Sequence, residues 1–298
     1  MAYVLLCFTA LFWAGNFVLG RAMHLVLPPI TMAEMRWSLA LLLILPFLIP
    51  RLRLHWSVIC RYWKRLLFMG VLSVASFNTL IYVGLTHTTA TNATLLQSAV
   101  PIVILLVTGL FFKEPVSLRQ WGGVACSLMG VLTLITAGHL ETLLHLSINQ
   151  GDLWVLGGVF SWALYSISLR WKPIELDGFT FFGVTVVVGV LVLLPLSLLE
   201  LQTVAPPAWS TKSIATIVYM AICPSILAYI FWNRGVAELG APKAGLFIHL
   251  MPLFGIVLSA IFLGEAIRSY HFVGMALIFG GIYLAVVADA LKRIQKTT

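Results

Sequence analysis

The sequence predicts an all-α integral membrane protein. Its ten transmembrane helices form two inverted-topology five-helix repeats. Three observations carry that expectation. The 298 residues are 61% hydrophobic and only 9% charged, with mean hydropathy +1.03. A soluble domain is about 45–50% apolar and about 25% charged. Ten apolar runs each have about the 20 residues that a helix needs to cross a bilayer. Matching residues also recur five runs apart. The composition excludes a soluble enzyme, a nucleic-acid-binding protein and a disordered chain, because too little polar surface is present to cover a core of this size.

The runs are 3–22, 31–50, 66–86, 93–112, 117–136, 151–170, 178–199, 212–234, 243–263 and 269–289, here spans 1 to 10. The first has no basic n-region, and Asn16 and Arg21 interrupt its apolar stretch, so it reads as a retained span rather than a signal peptide. Pro28-Pro29 ends it, since proline cannot continue a helix. Arg51 to Arg65 is too charged for hydrocarbon. Within it Leu52, Trp56, Ile59 and Trp63 recur at helical spacing, which predicts an amphipathic segment on the membrane surface. Lys113-Glu114-Pro115 is a charged turn, and 137–150 is a polar loop. Trp171-Lys172-Pro173 and Pro206-Pro207 bound span 7. In lipid only helices and closed barrels satisfy their backbone groups, and barrel strands would alternate over about 10 residues.

An even number of spans leaves both termini on one side. Of the 18 Lys and Arg, that side receives the five of 51–65 with Lys113, Arg119, Arg170, Lys172, Arg234, Lys243, Lys292, Arg293 and Lys296. The other side receives Arg21, Lys212 and Arg268, and Arg36 lies inside span 2. The positive-inside rule predicts cytoplasmic termini. The net charge of +8 is thereby explained by orientation and by membrane lipid headgroups, not by nucleic acid. Cys7, Cys60, Cys126 and Cys223 are scattered without a CxxC pair, so neither a disulfide framework nor a zinc site is indicated.

The two halves correspond. Trp13-Ala14 recurs as Trp162-Ala163, and Arg21 as Arg170, at an offset of 149. Gly84, Pro101, Glu114, Gly123 and Gly130 recur as Gly235, Pro252, Glu265, Gly274 and Gly281, at 151. Five spans is an odd number, so the second copy crosses the membrane in the opposite sense. Inverted repeats of this kind are associated with secondary transporters, whose substrate site lies between the halves.

These residues also carry a family resemblance. The chain resembles EamA-type members of the drug/metabolite transporter superfamily over essentially its whole length. The resemblance lies in Leu11-Phe12-Trp13-Ala14-Gly15-Asn16 and Met35-Arg36-Trp37. It continues through Gly84-Leu85, Ala90, Ala93, Leu95-Leu96, Pro101, Glu114, Gln120-Trp121-Gly122 and Gly130-Val131. Gly235, Ala244, Pro252, Gly264-Glu265, Gly274 and Gly280-Gly281 echo these in the second half. It implies a first repeat 1–136, an extracytoplasmic connecting loop 137–150 and a second repeat 151–298 with a short basic tail. It further implies alternating access, movement of small metabolites (often export of amino acids or related compounds), a bacterial inner membrane and no cofactor. Spans 1–4 and 6–9 would surround the cavity, with 5 and 10 packed outside it.

Polar side chains in hydrocarbon are costly and face the protein interior or water, so they are the candidate substrate ligands. Asn78 and Tyr82 share one face of span 3, and Tyr229 and Asn233 take the matching places in span 8 with their order exchanged. Amide and phenol can hydrogen-bond a carboxylate, an amine or a ring substituent. The competing reading is interhelical glue, worth about 0.6–2 kcal/mol per bond. Trp13, Asn16 and Phe17 in span 1, and Trp162 and Tyr165 in span 6, are either aromatic cavity walls or interfacial belt residues. Span 4 adds Gln97 and Ser98 before Pro101, and span 9 adds His249 before Pro252. Each proline frees a carbonyl one turn back, that of Gln97 or Ile248, for ligand, water or a helix bend. A permanent packing kink is the alternative.

His249 is either a proton carrier or a neutral ring bonded to a neighbour, with the second preferred. The carboxylates lie at or beyond span ends, apart from Glu34 one turn inside span 2. Facilitated diffusion or exchange therefore stands beside proton coupling. Glu114 and Glu265 read as structural, each ahead of a helix start. Arg36 reads either as an anchor for a substrate carboxylate or as a structural partner for backbone carbonyls and groups beside Glu34. The resemblance favours structure. A single central Arg does not suit polyanions. Gly122, Cys126 and Gly130 on span 5, with Gly281 and Ala285 on span 10, permit close packing between these spans or in a dimer, so monomer and homodimer both remain open.

Paired Asp, HExxH, GxSxG and Walker motifs are absent, which argues against a membrane enzyme or an ATP-driven pump. The function expected is a secondary transporter exporting amino acids or related zwitterionic or aromatic compounds. Uptake or facilitated diffusion of an amine or nucleoside-like compound is the alternative, with a scaffold more distant. No metal is expected, and a proton is the candidate coupling ion.

Overall fold

The computed structural model describes residues 1–23, 26–114, 116–139, 149–263 and 268–287. Glu141, Glu265, Asp289 and the basic tail lie outside them. Among the described residues, ten helices are long and apolar enough to span a membrane: Ala2–Gly20, Pro29–Leu54, Trp63–His87, Asn92–Phe111, Leu118–Ile135, Gln150–Trp171, Gly178–Glu200, Thr211–Leu239, Ala241–Leu258 and Ser269–Val286. No strand occurs among the described residues.

Span ends differ from the expected ones for identifiable reasons. Pro29 opens span 2 instead of breaking the chain ahead of it. A first-turn proline lacks only an N–H that would have no helical partner. The free N–H groups of Ile30 and Thr31 donate to the Glu200 carboxylate at 3.0 and 2.7 Å, so the end of span 7 caps the start of span 2. Span 2 then runs through Pro46 and Pro50 to Leu54. The surface segment shrinks to a short helix, Trp56–Arg61, with Trp56 and Trp63 exposed. Asp177 caps span 7 through the N–H groups of Phe179 and Thr180. Burial works against its charge, but these bonds, the Thr180 hydroxyl and nearby Arg51 hold its pKa below the usual value.

The packing of spans 5 and 10 displays the inverted repeat directly. A Cβ added at Gly123 would lie 2.5 Å from the Gly281 carbonyl, and one at Gly281 would lie 2.4 Å from the Gly123 carbonyl. Likewise Gly130 faces the Gly274 carbonyl at 2.6 Å. Residue 123 meets 281 and residue 130 meets 274, so the helices are antiparallel. Gly123 and Gly274 are repeat equivalents, as are Gly130 and Gly281. Each copy therefore meets the other's equivalent in reverse order, which requires a two-fold axis crossing the helices in the membrane plane. The same exchange puts Gly84 against Val155 and Gly235 against Leu6. Of the stripe expected from sequence, Gly130, Gly281 and Ala285 stand in the contact, and its start is displaced by one residue. Gly122 would meet only Leu284, at an ordinary 3.4 Å, whereas Gly123 carries the backbone contact.

Spans 3 and 8 each contain a π-helical turn, at Val71–Ser76 and Ala221–Leu227. Such turns are frequent at functional sites. Pro224 accounts for the second by removing a backbone donor. No proline accompanies the first. Both turns offer carbonyls to the interior: Tyr229 Oη donates to Ser73 O at 2.7 Å, and Trp13 Nε1 to Pro224 O at 3.2 Å. Ser73 and Pro224 are themselves repeat equivalents at the 151 offset.

Candidate functional site

Between the halves lies a small cavity lined by Trp13, Asn16, Phe17, Arg36, Phe77, Asn78, Gln97, Trp162, Tyr229 and neighbouring apolar residues. Six of the residues expected from sequence meet here: Trp13, Asn16, Asn78, Gln97, Trp162 and Tyr229. The cavity is about 20 Å³, room for a water rather than a metabolite. Aromatic rings fill the centre. The repeat equivalents Trp13 and Trp162 meet edge to face at 4.9 Å and 88°. Trp232 lies 5.5 Å from Trp162, and Trp37 lies 4.8 Å from Tyr229.

Arg36 is the polar hub, only 2% exposed. Its Nη1 donates to Asn16 Oδ1 at 2.8 Å and to Tyr82 Oη at 2.6 Å, and its Nη2 donates to Asn78 Oδ1 at 2.9 Å. The Trp37 ring lies 5.1 Å from the guanidinium carbon. The structural reading of Arg36 needs correction in its partners: they are these neutral side chains on spans 1 and 3, not backbone carbonyls. Glu34 instead accepts from the Ser38 hydroxyl on its own helix.

Two amide–phenol bonds flank the cavity. Tyr82 Oη donates to Asn16 Oδ1 at 3.1 Å. Tyr165 Oη donates to Asn233 Oδ1 at 2.7 Å. Asn16 maps to Tyr165 at the 149 offset and Tyr82 to Asn233 at 151, so the repeat generates one bond from the other with amide and phenol exchanged. Asn16 and Tyr82 lie toward the ends of spans 1 and 3 remote from the basic loops. Tyr165 and Asn233 lie toward the basic face. There a vestibule of about 900 Å³ opens, bordered by Asn233, Ser166, Phe179, Arg170, Lys172 and Arg234. Arg170 pairs with Glu114 at 2.6 Å, which gives Glu114 a structural partner at the vestibule rim. Burial lowers the Lys172 pKa from its ordinary value, opposed by Asp177.

The remaining expected residues fall elsewhere. Buried His249 lies outside the cavity lining, with Nε2 2.9 Å from Ser98 O and Nδ1 2.6 Å from Ser127 Oγ. It ties span 9 to spans 4 and 5, and Ser98 is its repeat equivalent. Both helices interrupt just before their prolines: the first stops at Gln97 and resumes at Val100, and Leu246–His249 is 3₁₀. The carbonyl that takes up a donor is thus that of Ser98, next to the expected Gln97. Pro101 packs against Gly245, while Ser98 and Pro252 border a second, minor cavity beside Gln97. Sequence reasoning missed Trp232 and the π turns. Pro224 in mid-span was the available signal for one of them.

Ten spans in two inverted copies, closed over a polar and aromatic cavity, define a membrane transporter rather than an enzyme. The chain belongs to the EamA-like transporter family, whose model matches residues 1–136 and 149–287. It is 28% identical over 294 residues to the uncharacterized transporter YyaM of Bacillus subtilis (strain 168), covering 99% of this chain and 95% of that one. An uncharacterized transporter of Archaeoglobus fulgidus is 26% identical, covering 95% and 96%. A probable terminal-alkyne amino-acid exporter of Streptantibioticus cattleyicolor is 26% identical over 216 residues, covering 72% and 70%. A solved crystal structure shares the fold with TM-score 0.74 at 18% identity, covering 95% and 96%.

Proposed function

We propose that the protein is an alternating-access secondary transporter exporting amino acids or related zwitterionic or aromatic compounds. In this reading residues 1–136 and 151–298 are the two copies, and both termini are cytoplasmic in a bacterial inner membrane. The observation that carries it is the pair of exchanged amide–phenol bonds, one on each side of the cavity. Each would close one access route in turn. The aromatic lining suits aromatic and apolar side chains. The distant amino-acid exporter adds weight to this substrate class.

Counterflow in proteoliposomes with a panel of amino acids, amines and nucleosides tests the substrate class. Accumulation of labelled aromatic amino acid is expected. Exchange confined to amines or nucleosides would move the assignment to that class. Orientation has its own test, because Cys60 is exposed on the basic surface helix while the other three cysteines are half-buried. A membrane-impermeant maleimide should label Cys60 in inverted vesicles and not in intact cells. The opposite pattern would reverse the topology.

A further inference from the structure

The charge of Arg36 extends the transport reading, on which this inference rests, to a chemical class. A guanidinium keeps its charge in proteins, and burying one without a counter-charge is costly. Its three side-chain partners here, Asn16, Tyr82 and Asn78, are all neutral. Among the described residues no carboxylate reaches it. Glu34 is bound to Ser38, and the ion pairs Arg170–Glu114 and Arg234–Glu238 sit at the exposed basic face.

The unpartnered atoms around the cavity are of one kind. Arg36 Nε, Gln97 Nε2 and Trp162 Nε1 are buried without a hydrogen-bond partner, and all three residues line the cavity. All three are donors. The nearby amide oxygens of Asn16 and Asn78 already accept from Arg36. A carboxylate brings two oxygens with about four acceptor positions. An ammonium group would meet none of these three donors' needs.

The repeat separates this feature from the scaffold. At the offset that carries Trp13 to Trp162, Arg36 corresponds to Thr185, whose hydroxyl donates to Phe182 O on its own helix. A charge needed only to hold the inverted fold together would be called for in both copies. Arg36 stands in one. We propose that Arg36 is the receptor for the carboxylate of the transported compound, with Gln97 and Trp162 completing the donor set. Phe77 and Trp13 then face the organic remainder. Because Nη1 also holds Asn16 and Tyr82, an arriving carboxylate competes directly with that bond and loosens it.

The test compares acids with their neutral amides on purified protein in nanodiscs, by calorimetry and thermal unfolding. The probes are phenylacetate against phenylacetamide and L-phenylalanine against L-phenylalaninamide. The acids should bind at least about 30-fold more tightly, as expected for charge-assisted bonds. Arg36→Gln should erase that preference, and Arg36→Lys, which keeps a positive charge at the position, should retain part of it. A merely structural arginine would leave the ratio of acid to amide affinity unchanged in both variants, whatever their ligand-free stability. Equal binding of acid and amide, no acid binding at millimolar concentration, or an acid preference that survives Arg36→Gln would each overturn the proposal. Should the variant fail to fold, the acid–amide comparison on the wild-type protein decides alone. Acid binding without flux in proteoliposomes would remove the transport reading and keep the receptor. Flux of neutral compounds indifferent to Arg36→Gln would do the reverse.

Discussion

Gly281→Val is expected to abolish accumulation of folded protein, while Gly122→Ala leaves it nearly unchanged. Both glycines lie on the span 5–span 10 pair, so sequence alone ranks them together. The difference lies in what a new side chain meets. At position 281 the Cβ would stand 2.4 Å from Gly123 O and 2.6 Å from Ser127 N. These are backbone atoms of a packed helix and cannot rotate aside. The helices must separate, and Gly123, Gly130 and Gly274 lose their close approach with them. Overpacking of this kind costs about 3 kcal/mol or more, a large share of the stability of a protein. At position 122 the neighbour is the tip of the Leu284 side chain at 3.4 Å, which a methyl group can touch without displacement. Size-exclusion profiles and unfolding temperatures in detergent measure both effects. Normal accumulation of Gly281→Val would refute the antiparallel crossing. Equal damage from Gly122→Ala would restore the stripe as first read from sequence.

The ten spans were legible because each is a local property: about 20 apolar residues and a charged or proline-rich break. The repeat was legible because eight identities survive at two offsets. What escaped depends on partners remote in sequence. Pro28-Pro29 reads as a stop, yet Glu200, some 170 residues away, makes Pro29 a start. Helical periodicity groups Asn78 with Tyr82 and Tyr229 with Asn233, each pair on one face. The bonds run across helices instead, from Tyr82 to Asn16 and from Tyr165 to Asn233. The exchange of amide for phenol was visible in the sequence, but not which residues it joins. Arg36 was visible as a charge inside a span. That its partners are neutral and its Nε unmet follows only once spans 1, 2 and 3 converge.

Bridging Tyr165→Cys to Asn233→Cys should stop flux by more than about 100-fold, and reduction should restore it. The background for this test replaces Cys7, Cys60, Cys126 and Cys223 with Ser. Removing the bond alone is a weak test. A neutral hydrogen bond contributes about 1 kcal/mol, so Tyr165→Phe shifts the balance of open and closed forms only about fivefold. A covalent bridge has no such tolerance. The phenol oxygen and amide oxygen are 2.7 Å apart in the closed arrangement, so the two positions face each other there, and a bifunctional thiosulfonate with a spacer replacing the lost phenol ring can join cysteines placed at them. If this bond closes the route from the basic vestibule, the bridged protein cannot admit substrate from that side and the cycle halts. The repeat sharpens the expectation, since Asn16→Cys with Tyr82→Cys reproduces the same geometry on the opposite side. That bridge should also halt net transport, while leaving the vestibule side open to an impermeant thiol reagent at position 233 in a further Asn233→Cys variant. Alternating access between inverted halves requires both outcomes. Undiminished flux through either bridged form, with each single-cysteine control unaffected by the reagent, would show that the bonded pair on that side is packing rather than a gate.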